Sequence, residues 1–142
     1  MGRIVAILAA MVVSMPLWAG AAFAEAIDKE GNCSTWTFFQ KDKTSAAAAA
    51  AEAIKKLKEQ AKEQGLGQVK FSSPASTAMD HGVYVVIFTA YEHKGEARWS
   101  HGFGFHKNSQ KEAEKAAVAN LKKKDKFWKP EYGYDIKEVK NF

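Results

Sequence analysis

The segment "VYVVIFTAYEHKGEARWSHGFGFH", residues 83 to 106, decides the fold because it reads as two strands joined by a tight turn. Residues 83 to 91 are nearly all β-branched or aromatic. In residues 97 to 106, bulky side chains largely alternate with small ones, as is typical of a strand. A two-residue turn at Lys94 and Gly95 predicts a β-hairpin in which the numbers of paired residues add up to 189.

That register predicts two different faces for the hairpin. On one face Val85 and Ile87 lie opposite Gly104 and Gly102, which leaves a notch where two side chains are missing. The other face is bulky and aromatic, and it pairs Tyr84, Val86, Phe88 and Ala90 with Phe105, Phe103, His101 and Trp99. Because helices cover only one face of a small sheet, terminal segments, another copy or a ligand must cover the second face.

Two helices are predicted, one on each side of the hairpin in the sequence. The segment "TSAAAAAAEAIKKLKEQAKEQG" (44 to 65) is rich in alanine, with Thr44 or Ser45 as a cap and Gly65 as a stop. Ser109 begins the second helix, where Ser109 and Glu112 form a capping box. A shift of 64 residues places the first helix on the second, from serine cap to leucine, which indicates a faint internal repeat.

The remaining strands are shorter. We predict strands in "STWTFFQK" (34 to 41), in "QVKFSS" (68 to 73) and near the C-terminus, where Tyr132, Tyr134 and Ile136 alternate. Residues 74 to 82 are predicted to form a loop. The expected fold is α+β, an antiparallel sheet of about four to five strands with two helices packed on one face, in the order β-α-β-β-β-α-β.

The chain opens with a segment typical of an export signal. "MGRIVAILAAMVVSMPLWAGAAFAEA" has one cation, Arg3, and then an apolar run that ends in Ala22-Phe23-Ala24, a pattern that signal peptidase accepts. The alternative is a retained membrane anchor. We predict a signal peptide over residues 1 to 24 and a single mature domain over residues 25 to 142. This predicts a protein of the periplasm, or a secreted one, with no membrane span after cleavage.

Cysteine content and charge add two expectations. Cys33 is the only cysteine, so an internal disulfide is excluded, and the thiol is either buried and free or paired with another chain. The formal net charge is +5, and 19 of the 21 basic residues are lysines. Lysine is a strongly hydrated point charge and suits bidentate phosphate recognition less well than arginine.

From residue 44 to 121, the order of elements resembles the double-stranded-RNA-binding domain. "DHGVYVVIF" is similar to the histidine-containing approach to that family's second strand, and "GFGFHKNSQKEAEKAAVANL" is similar to the segment that opens its last helix. The resemblance implies that Lys111 and Lys115 stand near the phosphate-binding lysines. It also implies that His81 stands near the histidine that probes the minor groove.

The chain departs from that family at the residues that contact RNA. Gln110 replaces the first lysine of the motif, Glu114 replaces a basic residue, and the first helix lacks the polar pattern used in the minor groove. The family reads RNA shape through 2′-hydroxyls and phosphates, so these changes remove the chemistry and leave the scaffold. Together with the predicted export, they make nucleic acid an unexpected partner.

No residues form a recognisable catalytic or ligand motif. His101 and His106 are predicted on opposite faces of their strand, and neither they nor His81 and His93 have the spacing of a metal site. Hydrolysis by His81 or His101 is conceivable, but no spacing selects it. We therefore expect no enzymatic activity, no cofactor and no metal.

Binding is the function that the sequence favours. A small exported domain of the bacterial envelope that binds a protein partner, or itself, is the leading hypothesis, with the aromatic hairpin and C-terminal segment as the binding region. The candidate partner-binding residues are Trp99, Trp128, Tyr132 and Tyr134. The alternative is a polyanion, nucleic acid or polysaccharide, bound through Lys111, Lys115, Lys122, Lys123, Lys124 and Lys126.

Overall fold

The computed structural model describes residues 19 to 142, so most of the predicted signal peptide, residues 1 to 18, lies outside the described residues. The described chain is α+β, which confirms the predicted class. Its strands are β1 (Ala19–Ile27), β2 (Cys33–Asp42), β3 (Lys70–Phe71), β4 (Ala75–Thr77), β5 (Val83–His93), β6 (Glu96–His106) and β7 (Asp135–Asn141). Its helices are α1 (Ala46–Glu63) and α2 (Gln110–Lys124), with a 3-10 turn at Pro130–Tyr132.

The strands divide into two antiparallel sheets, each made from one contiguous half of the chain. In the first half, residues 19 to 77, β1 lies between β2 on one side and the short strands β3 and β4 on the other. In the second half, residues 83 to 141, β5 lies between β6 and β7. Each half is therefore a hairpin, a helix and a returning strand that pairs with the first strand of its hairpin.

The two sheets pack face to face across an aromatic layer. Phe23 of β1 is fully buried, and its ring stacks on Phe103 of β6 with the ring centroids 4.6 Å apart. Tyr84 meets the edge of the same ring at 5.0 Å, and Phe38 lies 4.9 Å from it. The second face of the predicted hairpin is thus covered by the first half of the chain.

Each helix covers the outer face of its own sheet. In α1 the buried residues are Ala49, Ala53, Leu57 and Ala61, and in α2 they are Ala113, Ala117 and Leu121. Ala49, Ala53 and Leu57 each lie 64 positions before a buried residue of α2, so the repeat that the sequence indicates has a counterpart in the packing.

The hairpin register is as predicted. The pairs Val85–Gly104, Val86–Phe103 and Ile87–Gly102 all form, and so do the others expected from a turn at Lys94 and Gly95. Both turn residues have positive φ, 52° for Lys94 and 81° for Gly95, as a two-residue hairpin turn with the right twist requires.

Three features differ from the sequence-based expectation. The strands form two sheets instead of one, because β5 is apolar on both faces and a helix can cover only one of them. β1 was not expected, since its alanine-rich sequence was assigned to the signal peptide. Residues 75 to 77 of the expected loop form β4, and β7 begins at Asp135, after Tyr132 and Tyr134.

The predicted cleavage site lies inside β1. Cleavage after Ala24 stays a prediction, and it would remove Ala19 to Ala24 from the central strand of the first sheet. Phe23, the ring at the centre of the aromatic layer, would be removed with them. The arrangement described here therefore belongs to a chain that retains this segment.

Candidate functional site

A group of buried polar side chains, which we call the interior polar cluster, lies where the two sheets meet. It consists of Glu25 on β1, Cys33 at the start of β2, His101 on β6 and Lys124 at the end of α2. The carboxylate of Glu25 is only 2% exposed. Lys124 Nζ donates to Glu25 Oε1 at 3.0 Å, and His101 Nδ1 lies 3.5 Å from Glu25 Oε2. One carboxylate therefore faces a cation and an imidazole from the other half of the chain.

The electrostatics of the cluster keep Glu25 ionised. Burial alone would raise the pKa of Glu25, but the adjacent His101 and the charge of Lys124 outweigh burial and hold the pKa below its usual range. Burial and the negative charge of Glu25 have the opposite effect on the neighbouring thiol, because they raise the pKa of Cys33 well above its usual range. Cys33 is therefore a protonated thiol at neutral pH.

A protonated, buried thiol is not a nucleophile. Cysteine reacts as the thiolate, and reactive cysteines lie in electropositive, partly open surroundings. Cys33 is buried beside a carboxylate, and its Sγ contacts the carbonyl oxygen of Thr35 at 3.7 Å. Burial also places this thiol away from the surface at which a disulfide with another chain would form.

An exposed apolar strip on the second half is the other candidate site. Tyr134, Ile136 and Val139 are 37%, 45% and 36% exposed, and Val118 of α2 lies beside Tyr134. We call these four residues the C-terminal surface. In the described part of the chain, α2 packs mainly on β5 and β6, which leaves this strip exposed. Lys111, Glu114 and Lys115 border it, and Tyr134 donates its hydroxyl hydrogen to Glu114.

The structure separates the four predicted partner-binding aromatics. Trp128 is buried, and its indole N–H lies 3.1 Å from Thr89 Oγ1, so this residue belongs to the core beneath α2. Trp99 is 37% exposed, with its indole N–H donated to the carbonyl of Cys33. Tyr132 stacks on Tyr91 at the hairpin end of the sheet. Of the four, only Tyr134 lies on the C-terminal surface.

The predicted polyanion-binding lysines do not form one patch. Lys124 is engaged with Glu25 inside the protein, and its side chain is only 14% exposed. Lys115 pairs with Glu112 on the surface of α2. Lys111 lies at the start of the helix, and Lys122, Lys123 and Lys126 lie at its other end or beyond it. The polyanion alternative stays a prediction, as does the resemblance to the RNA-binding domain.

The interior polar cluster could not be found from the sequence. Glu25 and Lys124 are 99 residues apart, and each of the four residues lies in a different element. The predicted cleavage makes Glu25 the first mature residue, and this prediction gives no indication that Glu25 lies in a strand. The only indication in the sequence was the single cysteine, Cys33, and no sequence pattern showed which residues it would contact.

The fold defines a class of protein in which two antiparallel sheets face each other and each carries one helix on its outer side. In the described part of the chain, neither helix has the length and apolar character needed to cross a membrane. Comparison of the chain with family models, curated proteins and solved structures gave no match.

Proposed function

We propose that this chain is a small exported protein of the bacterial envelope, without enzymatic activity, that works by binding a second copy of itself along β7. The observation that carries the proposal is the C-terminal surface, an apolar strip along β7, which among the described strands is paired on one side only. A row of unpaired backbone groups next to exposed apolar side chains is a template for pairing with another chain.

The sequence of β7 is complementary to itself when read antiparallel. A two-fold axis between Lys137 and Glu138 sets Asp135 against Lys140 of the second copy and Ile136 against Val139. Lys137 then faces Glu138. Opposite charges across a strand pair stabilise it, and like charges destabilise it. The same patch serves both partners, as a two-fold dimer interface requires.

A β-bulge makes the two apolar residues compatible with this pairing. Ile136 pairs with Ile87 and Val139 pairs with Val85, with a register shift between them, so both lie on the helix side of the sheet. Asp135 and Lys140 pair with Phe88 and Tyr84 and lie on the opposite side. Residues that would meet across the dimer axis therefore share a face.

The proposed surface does not include the segment that contains the predicted cleavage site. It lies in the second half, whereas β1 belongs to the first. The part of the proposal that concerns the envelope rests on the apolar leader alone.

Charge reversal and rescue test the pairing. We expect Asp135→Lys to weaken dimerisation roughly tenfold, because two symmetry-related pairs each change by up to about 1 kcal/mol. The double variant Asp135→Lys with Lys140→Asp restores opposite charges and should restore the dimer. Sedimentation equilibrium measures the dissociation constants, and Lys55→Glu on the exposed side of α1 is the matched control.

Three results would contradict the proposal. The chain could be a monomer at all concentrations, or it could form a dimer that ignores the charge reversal. The double variant could also fail to recover the affinity lost by the single variant. Binding of a different protein by a monomeric chain would likewise replace self-pairing as the function of this surface.

A further inference from the structure

Among residues 19 to 142, two buried polar atoms of the interior polar cluster have no hydrogen-bond partner. They are Glu25 Oε2 and His101 Nδ1, and both belong to side chains that are at least nine-tenths buried. Buried polar atoms in native proteins nearly always have a partner, and an unsatisfied one destabilises the fold. The two atoms face each other across the junction of the sheets.

Their separation of 3.5 Å allows a loose ion pair if His101 is protonated, and it is also compatible with two ligands of one metal ion. It is longer than the 2.7–3.2 Å of an ordinary N–H···O hydrogen bond. A bridging water would hold them roughly 4.5 Å apart, since each of its hydrogen bonds is about 2.8 Å long. Two ligands of a tetrahedral zinc ion, with bonds near 2.0–2.1 Å, lie roughly 3.3 Å apart, and this is close to the separation seen.

A third zinc ligand is present in the same place. Ligand atoms of Glu25, Cys33 and His101 all lie within 4.8 Å of one another, and all three residues are buried. Thiolate, imidazole and carboxylate are the ligand types of tetrahedral zinc sites. Lys124 contacts the other oxygen of Glu25, Oε1, so it orients the carboxylate and leaves Oε2 free for a metal.

We propose that Glu25, Cys33 and His101 bind a single Zn²⁺ ion that joins the two sheets. Glu25 and Cys33 belong to the first sheet and His101 to the second, so one ion links the two halves of the chain. The surroundings are apolar and aromatic, with the rings of Trp36, Phe88 and Phe103 around His101. Such a site stabilises the folded chain. This inference is independent of the proposed pairing along β7, and it revises the expectation that the chain has no metal.

Binding of the ion requires a change in protonation. A cysteine thiol ordinarily carries its proton at neutral pH. Zinc binds the thiolate, so binding must release that proton to solvent, and affinity should increase with pH. Proton release is a signature that a surface carboxylate or histidine site at neutral pH would not produce to the same extent.

The test uses the full-length chain, freed of metal with a chelator and then titrated with Zn²⁺. We expect one equivalent per chain, with release of about one proton, and a thiolate-to-metal charge-transfer band when Co²⁺ replaces zinc. Cys33→Ser, Glu25→Gln and His101→Gln should each weaken zinc binding at least tenfold. His81→Gln is the control, because His81 is exposed and paired with Asp80.

Each outcome decides the question. Loss of affinity in the three variants with no loss in the control supports the site. A folded chain that retains no zinc overturns it, and so does zinc binding that survives Cys33→Ser. If the variants fail to fold, the cobalt spectrum of the unchanged protein decides, since a spectrum without a thiolate band excludes Cys33 as a ligand.

Discussion

The two halves of the molecule bring a helix close to a sheet by different means. In the first half the small residues lie on the central strand β1, where Ala22, Ala24 and Ala26 pack beneath α1. In the second half the central strand β5 carries Val85 and Ile87, and the edge strand β6 supplies Gly102 and Gly104 beneath α2. A helix can approach a sheet closely only over small residues, and either the central strand or an edge strand can supply them.

This difference decides which strand each helix covers. α1 packs on β1 and β2 and also contacts β4, so it spans its sheet. α2 lies over the glycines of β6 and packs mainly on β6 and β5. β7 is left uncovered on that side, and the C-terminal surface follows from this displacement.

Removal of the central aromatic ring should have the largest effect. Phe23→Ala should lower the free energy of unfolding by about 3–5 kcal/mol, because a fully buried phenyl ring leaves a cavity between the sheets. Its counterpart in the second half is Val86, which lies on the same inter-sheet face of β5, and Val86→Ala should cost only about 2 kcal/mol. Urea unfolding followed by circular dichroism gives both values. Equal costs would show that the aromatic layer does not centre on Phe23.

The close packing of α2 on the glycines of β6 can be tested directly. In Gly104→Ala the added methyl group would meet the carbonyl oxygen of Ala113 and the backbone of Ala117, so α2 must move outward. We expect a loss of about 1–3 kcal/mol in thermal or urea unfolding. Gly67→Ala is the matched control, since nothing lies within 4 Å of the added group there. A neutral Gly104→Ala would refute the explanation given for the position of α2.

Acid should weaken the connection between the halves. The pKa of Glu25 is lowered in the folded chain, so its contribution to stability is present above the ordinary value of 4.5 and is lost as the pH falls through the folded pKa. Glu25→Gln should cost about 1–3 kcal/mol at neutral pH, and the deficit should shrink in acid. Unfolding between pH 7 and pH 3 measures it, with exposed Glu30→Gln as control. A constant deficit would contradict the lowered pKa.

The smallest effect should come from the helix caps, and it should be alike in the two halves. Ser45 Oγ accepts a hydrogen bond from Ala48 N at 3.1 Å, and Ser109 Oγ accepts one from Glu112 N at 3.2 Å. Ser45→Ala and Ser109→Ala should each cost about 1 kcal/mol in urea unfolding, and the double variant about twice that. A clearly unequal pair would show that one helix is held mainly by packing.

Features set by neighbouring residues could be predicted from the sequence. The hairpin register follows from the turn at Lys94 and Gly95, and the serine caps follow from local chemistry. The capping box is only half formed, because the N–H of Ser109 bonds to His106 Nδ1 instead of the side chain of Glu112.

Features set by distant residues could not be predicted. The division into two sheets depends on β1, whose sequence "AGAAFAEAI" has the same composition as the end of an export signal. The alternation of Tyr132, Tyr134 and Ile136 predicts a last strand, but β7 begins only at Asp135. Trp128 was a candidate for binding because of its large apolar ring, and the same ring places it in the core. The interior polar cluster needs four elements to meet, and no local pattern encodes that.

Because each sheet is built from a contiguous stretch, the order of synthesis and the order of assembly coincide. Every strand of the first sheet has been made by residue 77, before any strand of the second has left the ribosome. Pairing within each half closes short loops, which is the condition for fast folding. Until the second half has been made, the aromatic side of the first half has no counterpart, so we expect this surface to favour aggregation or chaperone binding in the nascent chain.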